Sequence, residues 1–392
     1  MSSKKIYAYY FPNWHVDKQN EKWHGKGWTE WNVTKCALPR FEGHVQPKKP
    51  VWGYEDESDP KVMEKKIEAA SAHGLDGFIF DWYWYREIGI YREKCLEEGF
   101  LKASNNEKLD FAVMWCNHEA KQLHPSPKTP VGGYPVASST ATWDYFYELT
   151  QYCIDNYFSK PNYIKIDGKP FFSIFSPMEF VMDLGVEQAA EAIRCFDERA
   201  RKAGFPGIHF NVIDNFFYKD RSGKGEVAAN AQFSHGSTVV HYLNNEEIND
   251  IIEKMNIAST STHCWPMPEA FPCFDLKEAL PMAVERYKET RAWNAYAFPG
   301  ILLGWDTSPR TLQSDIFEPG AYPYNSVAIN NTPELFEQSL DVFYDIIKDD
   351  YVKVMTISSW NEWTEGEYLE PCEEYGYARL EALKRFCSKL EN

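Results

Sequence analysis

Short apolar runs alternate along the chain with segments whose apolar residues recur at helical spacing. The runs are rich in β-branched and aromatic residues, which is typical of buried strands. Regular alternation of strands and helices is the pattern of βα units wound around a parallel sheet. The sequence therefore predicts eight strands, at residues 6–11, 75–80, 111–115, 170–175, 208–213, 237–242, 300–305 and 352–358.

Helices are predicted between these strands, and several have clear boundary signals. Asp59 and Pro60 supply a cap and a first-turn proline, and His73-Gly74 ends the same helix. A short helix and an irregular loop at residues 263–272 follow the sixth strand. The other helices are predicted at residues 92–103, 143–157, 187–203, 282–291, 332–348 and 378–388.

Eight strands with intervening helices predict an α/β fold, a single (β/α)8 TIM barrel with long βα loops. Such barrels routinely hold chains of this length as one unit, so we expect residues 1–392 to form one catalytic domain. The sequence contains no internal repeat and no Gly/Ser-rich linker. A doubly wound open sheet is the competing architecture, and it is disfavoured because no predicted strand runs into a Gly-rich phosphate-binding turn.

Composition and charge narrow the class of partner. A formal net charge of −17 without a compensating basic stripe argues against nucleic acids and anionic membrane surfaces. The sequence has no run of about 18 apolar residues that could span a bilayer. The N-terminal segment lacks a signal-peptide pattern, and nine cysteines without a close pair are typical of reduced thiols. We therefore expect a soluble, cytoplasmic protein with no nucleic-acid or membrane partner.

Aromatic residues make up 16% of the chain, and many lie where the predicted strands end. Large rings are ordinary core residues, but sugars also stack their C–H faces on them. In a (β/α)8 barrel the functional groups lie at the C-terminal ends of the strands. Rings, carboxylates, amides and imidazoles together at that rim suit a carbohydrate substrate. The predicted substrate-binding residues are Tyr10, Trp14, Asp81, Trp82, Trp84, Asn117, His118, His241, Tyr242, Trp305, Asp306, Arg310, Trp360, Asn361, Trp363 and Tyr368.

Residues 358–371 carry the sharpest pattern for catalysis. The segment places Glu362 and Glu365 three residues apart, framed by two indoles, at the end of an apolar strand. A helical turn or a tight loop could aim both carboxylates at one substrate. Burial beside the indoles should raise the pKa of one carboxyl, and a donor such as Asn361 could hold the other ionised. We therefore predict that Glu362 and Glu365 are the catalytic pair, one acting as the acid and the other as the base.

Structural roles are the alternatives at these positions. Asp81 and Asp306 could cap helices or pair with nearby arginines, and His118 and His241 could be satisfied core histidines. The four glutamates between residues 362 and 370 could form a surface acidic cluster. Carboxylates could also bind a metal ion, but the sequence has neither an H-E-x-x-H nor an EF-hand pattern. We predict no metal and no cofactor.

The chain resembles glycoside hydrolase family 99 and, more closely, the WbsX-type family, named for glycosyltransferases, that shares its barrel. The resemblance spans nearly the whole chain, and its motifs occur in the order found in that family. They are residues 6–14, Gly27-Trp28-Thr29-Glu30-Trp31, Gly43-His44-Val45-Gln46-Pro47, residues 77–85, Gly304-Trp305-Asp306 with Arg310, and residues 360–371.

This resemblance implies a (β/α)8 enzyme that acts on α-linked, mannose-type sugars with retention of configuration. Glu362 would be the base that helps the neighbouring 2-hydroxyl attack the anomeric carbon, giving an anhydro-sugar. Glu365 would protonate the leaving oxygen and then activate water. The usual retaining route uses a carboxylate nucleophile instead. The end of the third strand departs from the family pattern, since Asn117 matches it and His118 does not.

Three functions are consistent with these observations. The leading prediction is a retaining glycoside hydrolase that cleaves an α-linked sugar in an oligosaccharide or polysaccharide. The first alternative is a glycosyltransferase of polysaccharide biosynthesis, although the sequence shows no phosphate-binding turn for a nucleotide sugar. The second is a non-catalytic barrel that binds carbohydrate. The identity of the sugar, its linkage and the oligomeric state stay open.

Overall fold

Eight parallel strands form the centre of the molecule. A computed structural model describes residues 4–128, 133–214, 245–294 and 296–390. The strands β1 to β8 are Lys5–Tyr10, Gly77–Tyr85, Asp110–Trp115, Lys169–Ile174, His209–Ile213, Ser259–Ser261, the two-part strand Ala297–Phe298 with Gly300–Leu302, and Val354–Ser358. Each strand pairs with the next in chain order, and β8 pairs with β1. Because Pro299 is all that separates the two parts of β7, the sheet closes into the predicted (β/α)8 barrel.

Strand β1 shows how the register buries the sheet. Ala8 lies opposite Ile357 of β8 on one side and Phe78 of β2 on the other. All three side chains are fully buried. Strands covered on both faces read as continuous apolar runs, and this is why the sequence pattern located most of the barrel strands to within one or two residues.

Ten α-helices lie within the described ranges. They are α1 Lys18–His24, α2 Trp31–Cys36, α3 Pro60–Ala72, α4 Trp143–Asn156, α5 Pro177–Leu184, α6 Val186–Lys202, α7 Asn245–Lys254, α8 Leu276–Trp293, α9 Pro333–Ile347 and α10 Ala378–Leu390. Side-chain caps fix several starts as predicted. The Asp59 carboxylate accepts from the amide of Lys61 at the start of α3, and the Thr332 hydroxyl accepts from the amide of Leu335 at the start of α9.

The predicted sixth strand is wrong. Residues 237–242 lie outside the described residues, and so do His241 and Tyr242. The sixth place in the barrel belongs to β6, which pairs with β5 and with β7. Its side chains are buried hydroxyls, and the Asn211 amide of β5 donates to Ser259 at 2.8 Å and to Ser261 at 2.9 Å. Polar contacts hold this strand in place, so it has no apolar run to mark it.

The helix predicted at residues 92–103 is also irregular in the structure. A π-helical turn, Cys95–Gly99, is followed by a 3-10 turn, Phe100–Lys102. Gly99 packs so closely that a Cβ atom would lie 2.2 Å from the carbonyl oxygen of Glu57. We attribute the irregular turn to this close backbone packing.

Two further features bear on the class of protein. All nine cysteines are free in the structure, and five of them are buried. None of the helices in the described ranges combines the length and the apolar character needed to cross a bilayer.

Candidate active site

The two predicted catalytic glutamates lie in a hairpin that follows β8. Its strands are β9, Asn361–Glu362, and β10, Glu367–Tyr368, which pair antiparallel with Glu362 opposite Glu367. The turn between them carries Glu365, whose amide donates to the Glu362 carbonyl at 3.3 Å. A tight loop, one of the two predicted geometries, therefore brings the pair together.

Gly366 allows this turn to form. Its φ of +71° is in the left-handed region that favours glycine. A Cβ atom at this position would lie 2.8 Å from the Cβ of Asp306 and 2.9 Å from its amide nitrogen. The same Asp306 amide donates to the carbonyl of Glu365. The hairpin is thus held against the segment that follows β7.

Arg310 joins the two glutamates. One terminal nitrogen, Nη1, donates to Glu365 Oε1, and the other, Nη2, lies 3.2 Å from Glu362 Oε1. The Tyr322 hydroxyl also donates to Glu365 Oε1, at 2.6 Å. Both carboxylates therefore lie side by side around one guanidinium.

A third glutamate contacts the same guanidinium. Glu30, at the start of α2, is fully buried, and its Oε1 lies 2.9 Å from Arg310 Nη2. The Thr364 hydroxyl lies 2.8 Å from that oxygen and 2.7 Å from Glu362 Oε1. The side-chain amide of Asn13 donates to the other oxygen of Glu30. The sequence motifs contained Glu30 and Thr364, but no role was predicted for them or for the remote Tyr322.

Burial and neighbouring charges push the pKa values of Glu362 and Glu30 apart. Burial raises the pKa of Glu362 well above its usual value, Arg310 opposes this, and the charges of Glu365 and Glu30 add to it. For Glu30 burial again acts upward, but Arg310 and Arg92 outweigh it and the net pKa is lowered. The two carboxyls on either side of Thr364 therefore favour different protonation states.

Two more acids extend the cluster. Glu367 is fully buried and accepts from the Ser358 hydroxyl at 2.8 Å. Burial, and then the charge of Glu365, raises the pKa of Glu367 and of Asp81 well above the usual values. One oxygen of Asp81 has no hydrogen-bond partner among the described residues. Both shifts favour the protonated form of these two acids.

Half-buried rings lie at the ends of neighbouring strands. The ring centroid of His118 is 5.8 Å from Tyr83 and 5.7 Å from Phe175. His263 lies 4.7 Å from Tyr9 and 5.4 Å from Phe175. Burial lowers the pKa of His263 to about 4, so its ring is neutral at pH 7. Neither His263 nor Phe175 was predicted as a site residue. His263 lies two residues beyond β6, a strand that the hydrophobic pattern did not locate.

Several aromatic residues that were predicted to bind substrate pack against other rings of the protein. Trp14 packs on Trp31 with ring centroids 4.0 Å apart, and Trp363 stacks on Tyr368 at 4.0 Å. These rings support the site through the core, and contact with substrate stays a prediction for them. The aromatic residues predicted to bind substrate that are buried in the structure are Tyr10, Trp14, Trp82, Trp84, Trp305, Trp360, Trp363 and Tyr368.

The expected role of Asn361 is wrong. Its side-chain amide donates to the Phe11 carbonyl at 3.0 Å and to Glu57 Oε1 at 3.1 Å, and its oxygen accepts from the Phe11 amide at 2.8 Å. The groups that contact the catalytic pair are instead Arg310 and the hydroxyls of Thr364 and Tyr322. Asn361 fixes the strand ends of β1 and β8 to each other.

Two other predicted contacts also have structural partners. Asn117 bonds the backbone of Ser176 in both directions, at 2.7 Å each. Asp306 accepts from Gln46 at 2.6 Å and lies 2.8 Å from the His44 ring nitrogen. Burial alone would raise the pKa of Asp306, but the His44 contact, with those of Ser308 and Gln46, lowers it. The predicted pairing of Asp306 with an arginine is wrong, since its partners are His44 and Gln46. Its other oxygen accepts at 3.1 Å from the amide of Ser308, the first residue of the 3-10 turn Ser308–Arg310, which is closer to the predicted capping role.

Paired carboxyls at the C-terminal rim of a (β/α)8 barrel lie where such barrels carry their functional groups and can take up and release protons. The model of the family Glycosyltransferase WbsX matches residues 6–383. The chain therefore belongs to this family, as its motifs predicted.

Two curated relatives align with nearly the whole chain. The uncharacterized protein WxcX of Xanthomonas campestris pv. campestris is 24% identical over 390 residues, and its counterpart in a second strain is 24% identical over 391 residues. Each alignment covers 97% of this chain and 49% of the relative. The chain thus spans about half the length of the curated relatives it matches.

Solved structures share the fold at low identity. The GH99 endo-alpha-mannosidase from Bacteroides thetaiotaomicron superposes with a TM-score of 0.58 at 13% identity, covering 99% of this chain and 97% of that one. A glycoside hydrolase-like protein gives a TM-score of 0.58 at 12% identity, covering 98% and 94%. These likenesses concern the barrel itself.

Proposed function

We propose that the protein is a retaining glycoside hydrolase that cleaves an α-linked sugar, with Glu362 and Glu365 as its catalytic carboxyl pair. The observation that carries this proposal is that both side chains bind the one guanidinium of Arg310 at the C-terminal rim of the barrel. A pair held side by side supports the close spacing of retaining enzymes, about 5 to 5.5 Å, over the wider spacing of inverting ones.

Two assignments of roles are possible within this proposal. The resemblance to family 99 implies that Glu362 is the base and Glu365 the acid. The electrostatics favour the opposite order, because burial keeps the proton on Glu362 while Arg310 and Tyr322 both donate to Glu365. Either order gives one proton donor and one proton acceptor around the same guanidinium.

Glutamine variants test the proposal. Glu362→Gln and Glu365→Gln should each lower turnover of α-linked aryl glycosides or polysaccharides by about 10²- to 10⁴-fold, the contribution of a general acid or base. Glu373→Gln, which changes an exposed glutamate paired with Lys49, is the matched control and should keep wild-type turnover. Unchanged turnover in both site variants would exclude this pair from catalysis.

Substrates with different leaving groups assign the two roles. The dinitrophenolate leaving group of a dinitrophenyl glycoside departs without help from an acid. The variant that lacks the acid should therefore keep most of its activity on that substrate. The variant that lacks the base should lose activity on dinitrophenyl and simple alkyl glycosides alike. If Glu362→Gln is the variant that is rescued, the order favoured by the electrostatics is correct.

The family description favours a second candidate, a glycosyltransferase that uses the same carboxyl cluster. Calorimetry with nucleotide sugars separates the two functions. Tight binding that requires the nucleotide would support the transferase. Sugar binding without turnover of any donor or acceptor would instead support the non-catalytic barrel.

A further inference from the structure

Three carboxyls contact one guanidinium, and two of them also contact one hydroxyl. Thr364 Oγ1 lies at hydrogen-bond distance from Oε1 of both Glu30 and Glu362. Arg310 Nε donates to the same hydroxyl at 3.1 Å, and Nη2 contacts the same two carboxyl oxygens. Glu365 completes the group through Nη1.

A proton count limits this arrangement. A threonine hydroxyl carries one hydrogen, so Thr364 can donate to only one of the two glutamates. The second short oxygen–oxygen contact becomes a hydrogen bond only when the other carboxyl carries its own proton. One of Glu30 and Glu362 is therefore neutral while this geometry persists.

The surrounding groups decide which carboxyl is neutral. Glu30 faces two guanidiniums and also accepts from Asn13, so its ionised form is stabilised. Glu362 shares Arg310 with two other acids. The titratable groups facing Glu30 are Arg310, Arg92, Tyr91, His24 and Glu362, and those facing Glu362 are Arg310, Glu365, Glu30 and Glu367. Neutral Glu362 therefore donates a hydrogen bond to Thr364, and Thr364 donates one to ionised Glu30.

We infer that Glu30 is a positioning residue for Glu362, which acts through Thr364 and Arg310 to fix the orientation and the proton of that carboxyl. Glu30 is 0% exposed and so contacts no substrate in this structure. The inference builds on the proposed function, since it assigns a partner to one of the proposed catalytic carboxyls. It accounts for a glutamate of the Gly27-Trp28-Thr29-Glu30-Trp31 motif that has no part in the acid and base chemistry itself.

The protonation of Glu362 can be measured without any substrate. In pH-difference infrared spectra, the carboxyl band that disappears in Glu362→Gln reports this side chain. Glu30→Gln should move the midpoint of that band down by about one pH unit, because a like charge is removed and Arg310 pairs more fully with Glu362. Thr364→Val should move it up by a similar amount. Once Glu362 is ionised, the Thr364 hydroxyl can turn to donate to it, and this bond to the charged form, the stronger of the two, is lost in the variant. Opposite shifts from two neighbouring variants are not expected from a general loosening of the site.

Matched controls isolate these contacts. Thr364→Ser keeps the hydroxyl, and Glu57→Gln removes another fully buried carboxylate, one that is paired with Lys66. Both should leave the Glu362 midpoint unchanged. An unmoved midpoint in Glu30→Gln, or shifts of the same sign in Glu30→Gln and Thr364→Val, would overturn the inference. If Glu30→Gln does not fold, equal midpoints in Thr364→Val and Thr364→Ser would overturn it.

Turnover gives an independent readout. If the enzyme hydrolyses glycosides, Glu30→Gln should lower kcat about tenfold or more with little change in KM, as expected when a group acts on chemistry rather than on binding. An effect on KM alone would contradict a role through Glu362. Loss of the proposed hydrolase function would leave the infrared result intact, so the two failures are distinguishable.

Discussion

Single residues in the active-site hairpin meet several demands at once. Gly366 must adopt a positive φ, leave room for the backbone of Asp306 and hold the turn that carries Glu365. No other residue satisfies the first two conditions without strain. Backbone geometry therefore explains why a glycine occupies position 366.

Gly366→Ala should lower both stability and activity. The left-handed backbone costs roughly 1–3 kcal/mol for a residue with a side chain, and the contact with Asp306 must also shift. Because the shift displaces Glu365, kcat should fall as well, which urea unfolding and steady-state kinetics would measure. Gly376→Ala is the matched control, since its φ is +56° but the space around it is open. Equal losses in the two variants would show that the close approach to Asp306 has no consequence.

How far the site could be predicted depends on side-chain direction. Glu362, Glu365 and Arg310 were found because a strand end and a motif mark them. The role of Asn361 was misassigned because the side chains of adjacent residues in a strand point to opposite faces. The amide of Asn361 therefore cannot reach the groups that its neighbour Glu362 contacts. Tyr322 joins Glu365 from 43 positions away in the sequence, and no local pattern could reveal that contact.

At the scale of elements, the hydrophobic pattern succeeded where strands are apolar and failed where they are polar. Strand β6 consists of three buried hydroxyl residues, two of which, Ser259 and Ser261, bond to Asn211 inside the barrel. Ser173 of β4 donates to the side-chain oxygen of Asn211 at 2.7 Å. A search for apolar runs cannot detect such a strand. Pro299 similarly splits β7 into two short parts, although the apolar segment around it was recognised.

A buried cation ties helix α3 to the active-site hairpin. Lys66 is 1% exposed and pairs with Glu57 and, at 2.7 Å, with Glu370 just beyond β10. Lys66→Met should lower the free energy of unfolding by about 3–5 kcal/mol, because two buried carboxylates lose their cation. Urea unfolding would measure the loss.

Two further variants define this prediction. Lys61→Met, on the exposed face of the same helix, should leave the free energy of unfolding unchanged. Adding Glu57→Gln to Lys66→Met should recover part of the loss, since it removes one unpaired charge. A Lys66→Met protein as stable as the wild type would show that the pair is not needed to hold α3 against the hairpin.

At the scale of the molecule, what the relatives share is the barrel rather than the sequence. The mannosidase structure superposes over 99% of this chain at only 13% identity. Many different apolar side chains can fill strands that are buried on both faces, so the pattern persists when identities do not. This is why the fold could be predicted from periodicity, whereas the organisation of the chain as one domain stays a prediction.

The balance of buried ionisable groups makes stability depend on pH. Burial lowers the pKa values of four histidines to about 4, which means that the folded protein resists protonation between pH 6.5 and 4 while the unfolded chain does not. Each such histidine costs stability as the pH falls through that window. Glu57, whose pKa burial raises to about 7, acts in the opposite direction, because its proton is bound more tightly in the folded state.

His209 offers a direct test of this balance. Its ring lies at the start of β5, buried, with Nε2 2.7 Å from the Ser259 hydroxyl. His209→Gln should be less stable than the wild type at pH 7, where only packing and this hydrogen bond are lost. The difference should shift in favour of the variant by about 3 kcal/mol as the pH falls toward 4, because glutamine does not bind the proton that the unfolded wild type gains. Urea midpoints measured at pH 7 and pH 4.5 would decide the matter, and a constant difference between the two proteins at both values would mean that this ring is protonated as readily in the folded barrel as in the unfolded chain.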